Sequence, residues 1–389
     1  MDKVKRKRIV SRVLLVVSVI LIAYLLAVVC NFVLAANQSA KNKIEFADDQ
    51  ASRFLAVQMA YAAGTAPQID EQAFCGFDLD EAIASGVKVN ELVYLATHNS
   101  YKQGLHKESY AFYNYLLAPF IGRDFNYGFD TLTEQLNMGI RSIELDVSKL
   151  VYEDGSFAIQ CFHNYFLETN STAINFEMAL REIKFWSDYN SGHFPLFILI
   201  EPKPTLPFTQ CKALDEAGFD ALDAMLEDVF GSKLVDYQEF LNGSANAKEL
   251  RETNNYPTLE SMMGKVVFLL HDKAAAREFY YGRENMKMLP AVANNYVTRG
   301  KYTDIACFAI ANNAKKTSML EQFVADNYMV RTRIDVYPNF SAKNTESALS
   351  AGANILSTDF PPSINHLYPE HTASISDNPA VTVLLRRGG

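Results

Sequence analysis

Short apolar runs recur along most of the chain, and segments of a different period lie between them. The first run of strand length is 92–96 and the last is 355–356. Residues 194–200 form a continuous apolar run, which is typical of a parallel strand covered on both faces. The residues that follow Asn175 instead place apolar side chains on one face of a helix, which Asn175 can cap. The pattern therefore alternates between strand and helix.

Seven or eight strands can be placed in this way, and helices are predicted between several of them. The predicted strands are 92–96, 140–147, 157–162, 194–200, 265–270, 305–311, 329–334 and 355–356. Repeated βα units over roughly 280 residues predict an α/β fold, a TIM-type (β/α) barrel. A doubly wound open sheet is the alternative, and the lack of a Gly-rich dinucleotide or P-loop signature weakens it.

The N-terminal region has a different pattern. Residues 13–36 contain no charged side chain. As a helix they extend roughly 36 Å, enough to cross a hydrocarbon core of about 30 Å. We therefore expect a single transmembrane helix before the barrel. A cleaved signal peptide is the alternative, since residues 33–35 could serve as a cleavage site, although the apolar region of such peptides is usually shorter.

Charge gives this segment an orientation. Residues 1–12 carry a net charge of +5 in a chain of −9, so the remainder is strongly acidic. The positive-inside rule keeps the tail in the cytoplasm and places the body outside, or secretes it after cleavage. An acidic body is a poor partner for nucleic acid. We divide the chain into a cytoplasmic basic tail (1–12), a membrane anchor (13–36), a stalk and lead-in (37–90) and the barrel (91–389).

Polar side chains lie near or just after the carboxyl ends of the predicted strands, where a parallel barrel carries its active site. Taken in chain order, these side chains are His98, Asn99, Glu144, Asp146, His163, Glu201, Lys203, Arg331, Arg333, Asp335 and Asp359. One consistent register from strand to strand favours a shared site over scattered surface charges.

The acidic members suggest a cation. Glu144 and Asp146 are two residues apart and leave the same face of one strand. If Glu201 meets them, three carboxylates cannot all stay ionised without a positive ion. Together with the amide oxygen of Asn99 they form an all-oxygen set, which suits Ca²⁺. The histidines are then available for proton transfer.

Seven short motifs carry a family resemblance. In order they are THNSY (97–101), GIRSIELDV (139–147), FH (162–163), IEPKP (200–204), GKVVFLL (264–270), VRTRID (330–335) and SAGANILSTDFP (350–361). Their order and spacing resemble the catalytic barrel of the Ca²⁺-dependent phosphoinositide-specific phospholipase C family. The resemblance implies a TIM barrel that cleaves phosphatidylinositol into diacylglycerol and an inositol phosphate, with an inositol phospholipid and a membrane as partners.

Carried over by position, the resemblance implies roles for most of these side chains. The catalytic histidines are His98 and His163; the calcium ligands are Asn99, Glu144, Asp146 and Glu201; Lys203, Arg331 and Arg333 bind inositol or phosphate. Asp335 and Asp359, which follow the last two predicted strands, complete the expected substrate-binding set. Asn99 and the retained acids favour the calcium-dependent branch, because the metal-independent bacterial relatives have an aspartate after the first histidine and an arginine in the calcium position.

The implied reaction is attack of the inositol 2-hydroxyl on phosphorus, which gives a cyclic 1,2-phosphate that water opens to inositol 1-phosphate. His163 is the expected acid; His98 is the base or a stabiliser, and a calcium-bound glutamate is the other candidate base. Two alternatives stay open. A glycerophosphodiester phosphodiesterase usually has His-Arg where this chain has His98 and Asn99, and a silent cell-surface binding barrel would have lost a histidine or an acid.

Overall fold

Eight parallel strands form the centre of the computed structural model, which describes residues 3–118, 121–335, 340–362, 368 and 370–386. The barrel strands are β1 Leu92–Thr97, β2 Ser142–Val151, β3 Leu196–Pro202, β4 Val266–His271, β5 Met288–Ala293, β6 Phe308–Ile310, β7 Met329–Arg333 and β8 Ile355–Thr358. Each strand pairs in parallel with the next along the chain.

The ring is closed, because β1 pairs with β8 and also with β2. Tyr94 is opposite Ile355 in the first pairing, and Ala96 is opposite Ser142 in the second. Closure confirms the predicted TIM-type barrel and excludes the open sheet. All eight carboxyl ends therefore meet at one rim.

The structure corrects the predicted strand order in two places. Phe157–Cys161 is not a barrel strand; it pairs antiparallel with the outer half of β2, as Val147 opposite Cys161 shows. The sequence pattern also missed β5. Pro290 lies in the middle of β5 and pairs with Leu270. Proline lacks the N–H that a central strand needs, so its presence argues against a strand in a single sequence.

Helices surround the barrel. They are α1 Lys3–Ala62, α2 Leu79–Ala84, α3 Lys107–Ala111, α4 Ile121–Phe125, α5 Leu132–Asn137, α6 Phe176–Tyr189, α7 Glu216–Phe230, α8 Tyr237–Phe240, α9 Ala247–Glu252, α10 Leu259–Met262, α11 Ala274–Phe279, α12 Asn294–Val297, α13 Thr317–Ala325 and α14 Ala342–Ser350. A π-helical turn, Phe112–Leu117, follows α3. Asn175 caps α6 as predicted, by accepting a hydrogen bond from the backbone N–H of Met178.

The remaining short elements complete the surface. The 3₁₀ turns are Glu71–Phe74, Val89–Glu91 and Gly231–Lys233, and the minor strands besides Phe157–Cys161 are Cys211–Lys212, Leu234–Val235 and Val383–Leu385. Val383–Leu385 runs antiparallel to β1.

Helix α1 is 60 residues long, or roughly 90 Å. Within the described residues it is the one helix that is long and apolar enough to cross a membrane. Its first half exposes its apolar side chains, whereas Ala35, Ser39 and Gln50 are buried against the barrel. The segment expected to be a stalk is therefore the second half of α1, packed along the barrel, followed by α2 and two short turns.

Candidate active site

The turn after β1 is joined to β2 by its own side chains. The Ser100 hydroxyl lies 2.6 Å from Thr97 Oγ1 and accepts a hydrogen bond from the backbone N–H of Glu144 at 2.8 Å. The Ser100 N–H in turn donates to the Glu144 carbonyl. Asn99 has a φ of 49°, a left-handed conformation that asparagine tolerates better than most residues. The polar residues after the apolar strand thus place the turn beside Glu144.

Three carboxylates converge at the rim. Glu144 and Asp146 leave the same face of β2, and Asp146 is directly opposite Glu201 on β3. One oxygen from each of the three lies within 4.8 Å of the others. The structure therefore brings together the three acids that the sequence selected.

Cations surround these acids. Lys203 Nζ lies 2.6 Å from Asp146 Oδ2 and 2.9 Å from Glu201 Oε1. Arg331 Nη2 lies 2.5 Å from Glu144 Oε2. Lys203 and Arg331, expected to bind substrate, contact the acid cluster directly in this structure.

The acid cluster suits a hard divalent cation. Asp146 Oδ1 is buried and has no hydrogen-bond partner within the described part of the chain. Burial raises the pKa of Glu144 to about 7; Arg331 and Arg333 oppose this rise, and the nearby charges of Glu201 and Asp146 add to it. Crowded, desolvated oxygens of this kind are the ligands that Ca²⁺ prefers. The residues present therefore fit the expected ion.

Glu201 has further neighbours that the sequence did not select. Burial would raise its pKa, but Lys203, His271 and Lys273 outweigh burial and hold the pKa below its ordinary value. His271 Nε2 lies 3.6 Å from Glu201 Oε2, and Lys273 Nζ lies 3.1 Å from Oε1. His271 is one of these neighbours: the end of β4 places it at the acid cluster, and burial lowers its pKa to about 3.

His98 lies at the end of β1 with 17% of its side chain exposed. Its Nδ1 is 2.8 Å from Asp359 Oδ1 and also 2.8 Å from the Tyr127 hydroxyl. Its Nε2 is 3.9 Å from Glu144 Oε2, on the side of the acid cluster. Burial and the positive charges of Arg333 and Arg331 hold the pKa of His98 well below its ordinary value. The ring is therefore neutral at neutral pH.

Tyr127 and Arg333 fix the surroundings of His98. The Tyr127 hydroxyl accepts a hydrogen bond from Asn99 Nδ2 at 2.8 Å. Arg333 Nη2 donates to Asp359 Oδ2 at 2.6 Å. Burial nevertheless raises the pKa of Asp359 to about 6. His98, Asn99 and Asp359 thus form one hydrogen-bonded group.

His163 reaches the rim on the loop that follows the antiparallel strand. Its Nδ1 lies 2.5 Å from Glu168 Oε2. The other Glu168 oxygen accepts a hydrogen bond from the Tyr113 hydroxyl at 2.9 Å, and Lys102 Nζ lies 3.0 Å from Oε2. Burial would raise the pKa of Glu168, but Lys102 and His163 outweigh burial, and the pKa lies well below its ordinary value. Glu168 is therefore an ionised partner for His163.

Lys102 connects the two histidine groups. Its side chain is almost fully buried, and its Nζ lies 4.2 Å from the centroid of the Tyr127 ring while bonded to Glu168. One buried cation thus contacts residues on the His98 side and on the His163 side.

Asp335 lies behind this site. Its Oδ1 accepts hydrogen bonds from Thr358 Oγ1 at 2.6 Å and from the backbone N–H of Asp359 at 3.2 Å. Burial and the charge of Asp359 raise its pKa to about 7. Asp335 and Arg333 also line a cavity of about 310 Å³ beside the rim. Asp335 therefore supports Asp359, which in turn is bonded to His98.

The sequence did not identify several site residues, which lie on loops between elements or, for Tyr113, in the π-helical turn. They are Lys102, Tyr113, Tyr127, Glu168 and Lys273. Lys273, two residues beyond the end of β4, follows the same rule that selected Lys203. For the others the sequence offers no periodic signal, because their side chains meet only through the loop fold.

Solved structures share this fold. The chain is similar to a calcium-dependent phosphoinositol-specific phospholipase C from Pseudomonas sp, at 17% identity and a TM-score of 0.55, over 81% of this chain and 99% of that one. A Ca²⁺-dependent phosphatidylinositol-specific phospholipase C from Streptomyces antibioticus is similar at 15% identity and a TM-score of 0.51, over 78% of this chain and all of that one. No curated protein sequence matches the chain.

The family itself is established by sequence. A sequence model described as phosphoinositide phospholipase C, Ca²⁺-dependent, matches residues 87–163 and 155–383. These matches cover most of the chain and nearly the whole barrel. Their description agrees with the closed barrel and the oxygen cluster at its rim. The chain therefore belongs to the Ca²⁺-dependent phosphoinositide phospholipase C family and is a phosphoinositide-specific phospholipase C enzyme whose cofactor is Ca²⁺.

Proposed function

We propose that the protein cleaves phosphatidylinositol to diacylglycerol and inositol 1,2-cyclic phosphate, which water then opens to inositol 1-phosphate. The inositol 2-hydroxyl attacks the adjacent phosphorus as the diacylglycerol oxygen leaves. The attack needs a base and the departure needs an acid. The observation that supports this proposal best is a pair of carboxylate-bound histidines, His98 and His163, beside one acid cluster.

The acid cluster is the proposed cofactor site. Asn99, Glu144, Asp146 and Glu201 would hold Ca²⁺, which when bound lowers the pKa of a coordinated hydroxyl and offsets charge on a phosphate oxygen. Lys203, which bridges two of these acids, would supply a positive charge for a phosphate oxygen bound beside them. Arg331 and Arg333 supply further positive charge at the rim.

His163 is the proposed acid. The ionised Glu168 accepts a hydrogen bond from the Nδ1–H and orients the ring, so Nε2 can give a proton to the leaving oxygen. His98 is the proposed base. It is neutral, its Nδ1 is bonded to Asp359, and Nε2 on the side of Glu144 can take the hydroxyl proton. Glu144, with a pKa of about 7, is the second candidate base.

We also propose that residues 13–36 cross the membrane, with the basic tail in the cytoplasm and the barrel outside. The most apolar window of α1 has a mean hydropathy of 3.2 and none of it is buried by the rest of the chain. Burial in lipid accounts for that exposure. Removal of the segment after export is the alternative, and the N-terminal sequence of the mature protein distinguishes the two.

The full-length protein in vesicles tests the reaction. With Ca²⁺ we expect turnover of phosphatidylinositol, with the cyclic phosphate as first product, and loss of activity in excess EGTA. Glycerophosphoinositol is offered in parallel. Preference for glycerophosphoinositol would support a glycerophosphodiester phosphodiesterase instead, and undiminished turnover in EGTA would contradict the calcium role.

A further inference from the structure

The outer part of the apolar span of α1 is in contact with the loop region at the barrel rim. We call this region the rim segment, defined as residues 105–118 and 121–125. The Tyr24 hydroxyl donates a hydrogen bond to the Leu116 carbonyl at 2.5 Å. Phe32 lies 5.6 Å from Phe112 between ring centroids. The span and the rim therefore share one packed interface.

This interface lies within the part of α1 that has no charge. Its helix residues are Tyr24, Val28, Phe32 and Ala35. Val28 is eight residues, or about 12 Å, before the end of the uncharged span at residue 36. If that span is in lipid, the rim segment packed on it must reach the outer leaflet.

The rim segment has the surface expected for such a position. Residues 109–122 contain no charged side chain. Tyr115 is 75% exposed and Leu117 is 54% exposed. Exposed apolar side chains beside a membrane helix are typical of a segment that is buried about 5–10 Å deep in the boundary between the headgroups and the acyl chains.

The same segment borders the catalytic mouth. The Phe125 ring packs in the cluster with Phe32 and lies 5.8 Å from the His163 ring. Tyr113 stacks on Phe125 at 5.2 Å and donates its hydroxyl hydrogen bond to Glu168. The interface with α1 is thus one side chain away from the proposed acid.

We propose that the rim segment and the outer half of the α1 span form one membrane-docking surface. It inserts into the outer leaflet of the bilayer that α1 crosses and opens the catalytic mouth toward lipids of that same bilayer. The enzyme therefore cleaves its lipid in cis, on its own membrane. The inference rests on the proposed function for the identity of the lipid and on the proposed span for the position of α1.

Fluorescence quenching tests the docking surface without any turnover. The chain has a single tryptophan, Trp186, which is fully buried. Tyr115→Trp or Leu117→Trp adds a reporter in full-length protein reconstituted into phosphatidylcholine vesicles with brominated acyl chains. Tyr189→Trp is the matched control, because Tyr189 is 55% exposed and packs on Tyr61 at the far end of α1.

We expect the brominated lipid to remove about half or more of the added fluorescence at 115 and 117, and little at 189, since only the first two positions lie at acyl depth. Quenching at 115 and 117 no greater than at 189 would overturn the proposal. So would protein that fails to stay with the vesicles. If the rim segment binds a partner protein and not lipid, positions 115 and 117 should likewise show no more quenching than position 189.

A paired activity assay tests the consequence. Phosphatidylinositol is placed either in the bilayer that holds the enzyme or in separate vesicles, and inositol 1,2-cyclic phosphate serves as a soluble substrate. We expect the cis rate to exceed the trans rate by about tenfold or more, and Tyr115→Asp to lower the cis rate while leaving soluble turnover unchanged. Equal cis and trans rates would contradict the docking surface but not the proposed reaction. Absence of turnover on every substrate would contradict the proposed reaction, and the quenching experiment would then test the docking surface by itself.

Discussion

The two histidine–carboxylate pairs at the rim look alike but have different surroundings. His98 bonds to Asp359 and His163 bonds to Glu168, each through Nδ1. Glu168 is bonded to a buried lysine and a tyrosine, and its pKa is low. Asp359 lies beside Asp335, and burial raises its pKa to about 6 despite Arg333.

The difference assigns opposite chemistry to the two rings. A firmly ionised carboxylate orients its histidine through the Nδ1–H hydrogen bond and leaves Nε2 free to donate a proton, which suits the proposed acid. His98, held neutral by burial and by neighbouring arginines, suits a base. Two similar pairs can therefore supply the two proton transfers of one reaction, because the charges behind them differ.

The largest break in this comparison is His163→Ala. We expect a rate loss of about 10³–10⁴-fold on phosphatidylinositol, because the leaving oxygen loses its acid. A substrate analogue with a phenol leaving group, which departs without a proton, should recover most of the loss. The same substrate should not rescue His98→Ala. Equal rescue of both variants would contradict the division into acid and base.

The next effect comes from Glu168→Gln. The neutral amide accepts a weaker hydrogen bond from the Nδ1–H of His163 and holds the ring less firmly, so we expect a rate loss of about 10²-fold with partial rescue by the phenol analogue. Glu153→Gln is the matched control, since Glu153 lies exposed in the turn after β2, and it should leave the rate unchanged. A loss without rescue would point to a structural role for Glu168.

A smaller effect is expected from Asp359→Asn, read from the pH dependence of kcat/KM. On the acid side, the wild-type rate should fall as the pH drops through the pKa of His98, which lies below its ordinary value of about 6.5. Loss of the nearby anion lowers that pKa further, so the acid limb should move to lower pH, with a rate loss of about tenfold. If the acid limb of the pH profile does not move, His98 is not the group that transfers the proton.

The smallest effect is one of stability, from Asp335→Asn in calcium-free buffer. The folded pKa of Asp335 is raised to about 7, above the unfolded value of about 3.9. The folded state thus binds the proton more tightly, and wild-type stability declines as the pH rises from about 4 to 7. Over the same pH range the free energy of unfolding of the variant should decline by about 1–3 kcal/mol less than that of the wild type. Parallel urea titrations at several pH values measure the difference.

The sequence predicted the parts of this site that lie on regular elements. Glu144, Asp146 and Glu201 were found because strand alternation and parallel register place them together. Their roles as ligands stay a prediction. Glu168 and Tyr127 were missed because only the loop fold brings them to the histidines. The same limit applies to β5, where Pro290 removed the local signal although neighbours on both sides complete the strand.

The unbroken course of α1 has a mechanical consequence. A flexible tether with as many residues as 37–62 would let a domain wander roughly 28 Å from its attachment point. Here those residues are one rigid rod packed along the barrel. Under the proposed topology no flexible linker separates the barrel from the membrane anchor. The enzyme therefore reaches new lipid by two-dimensional diffusion in the bilayer, and the distance that it diffuses in the membrane plane sets the area on which it acts.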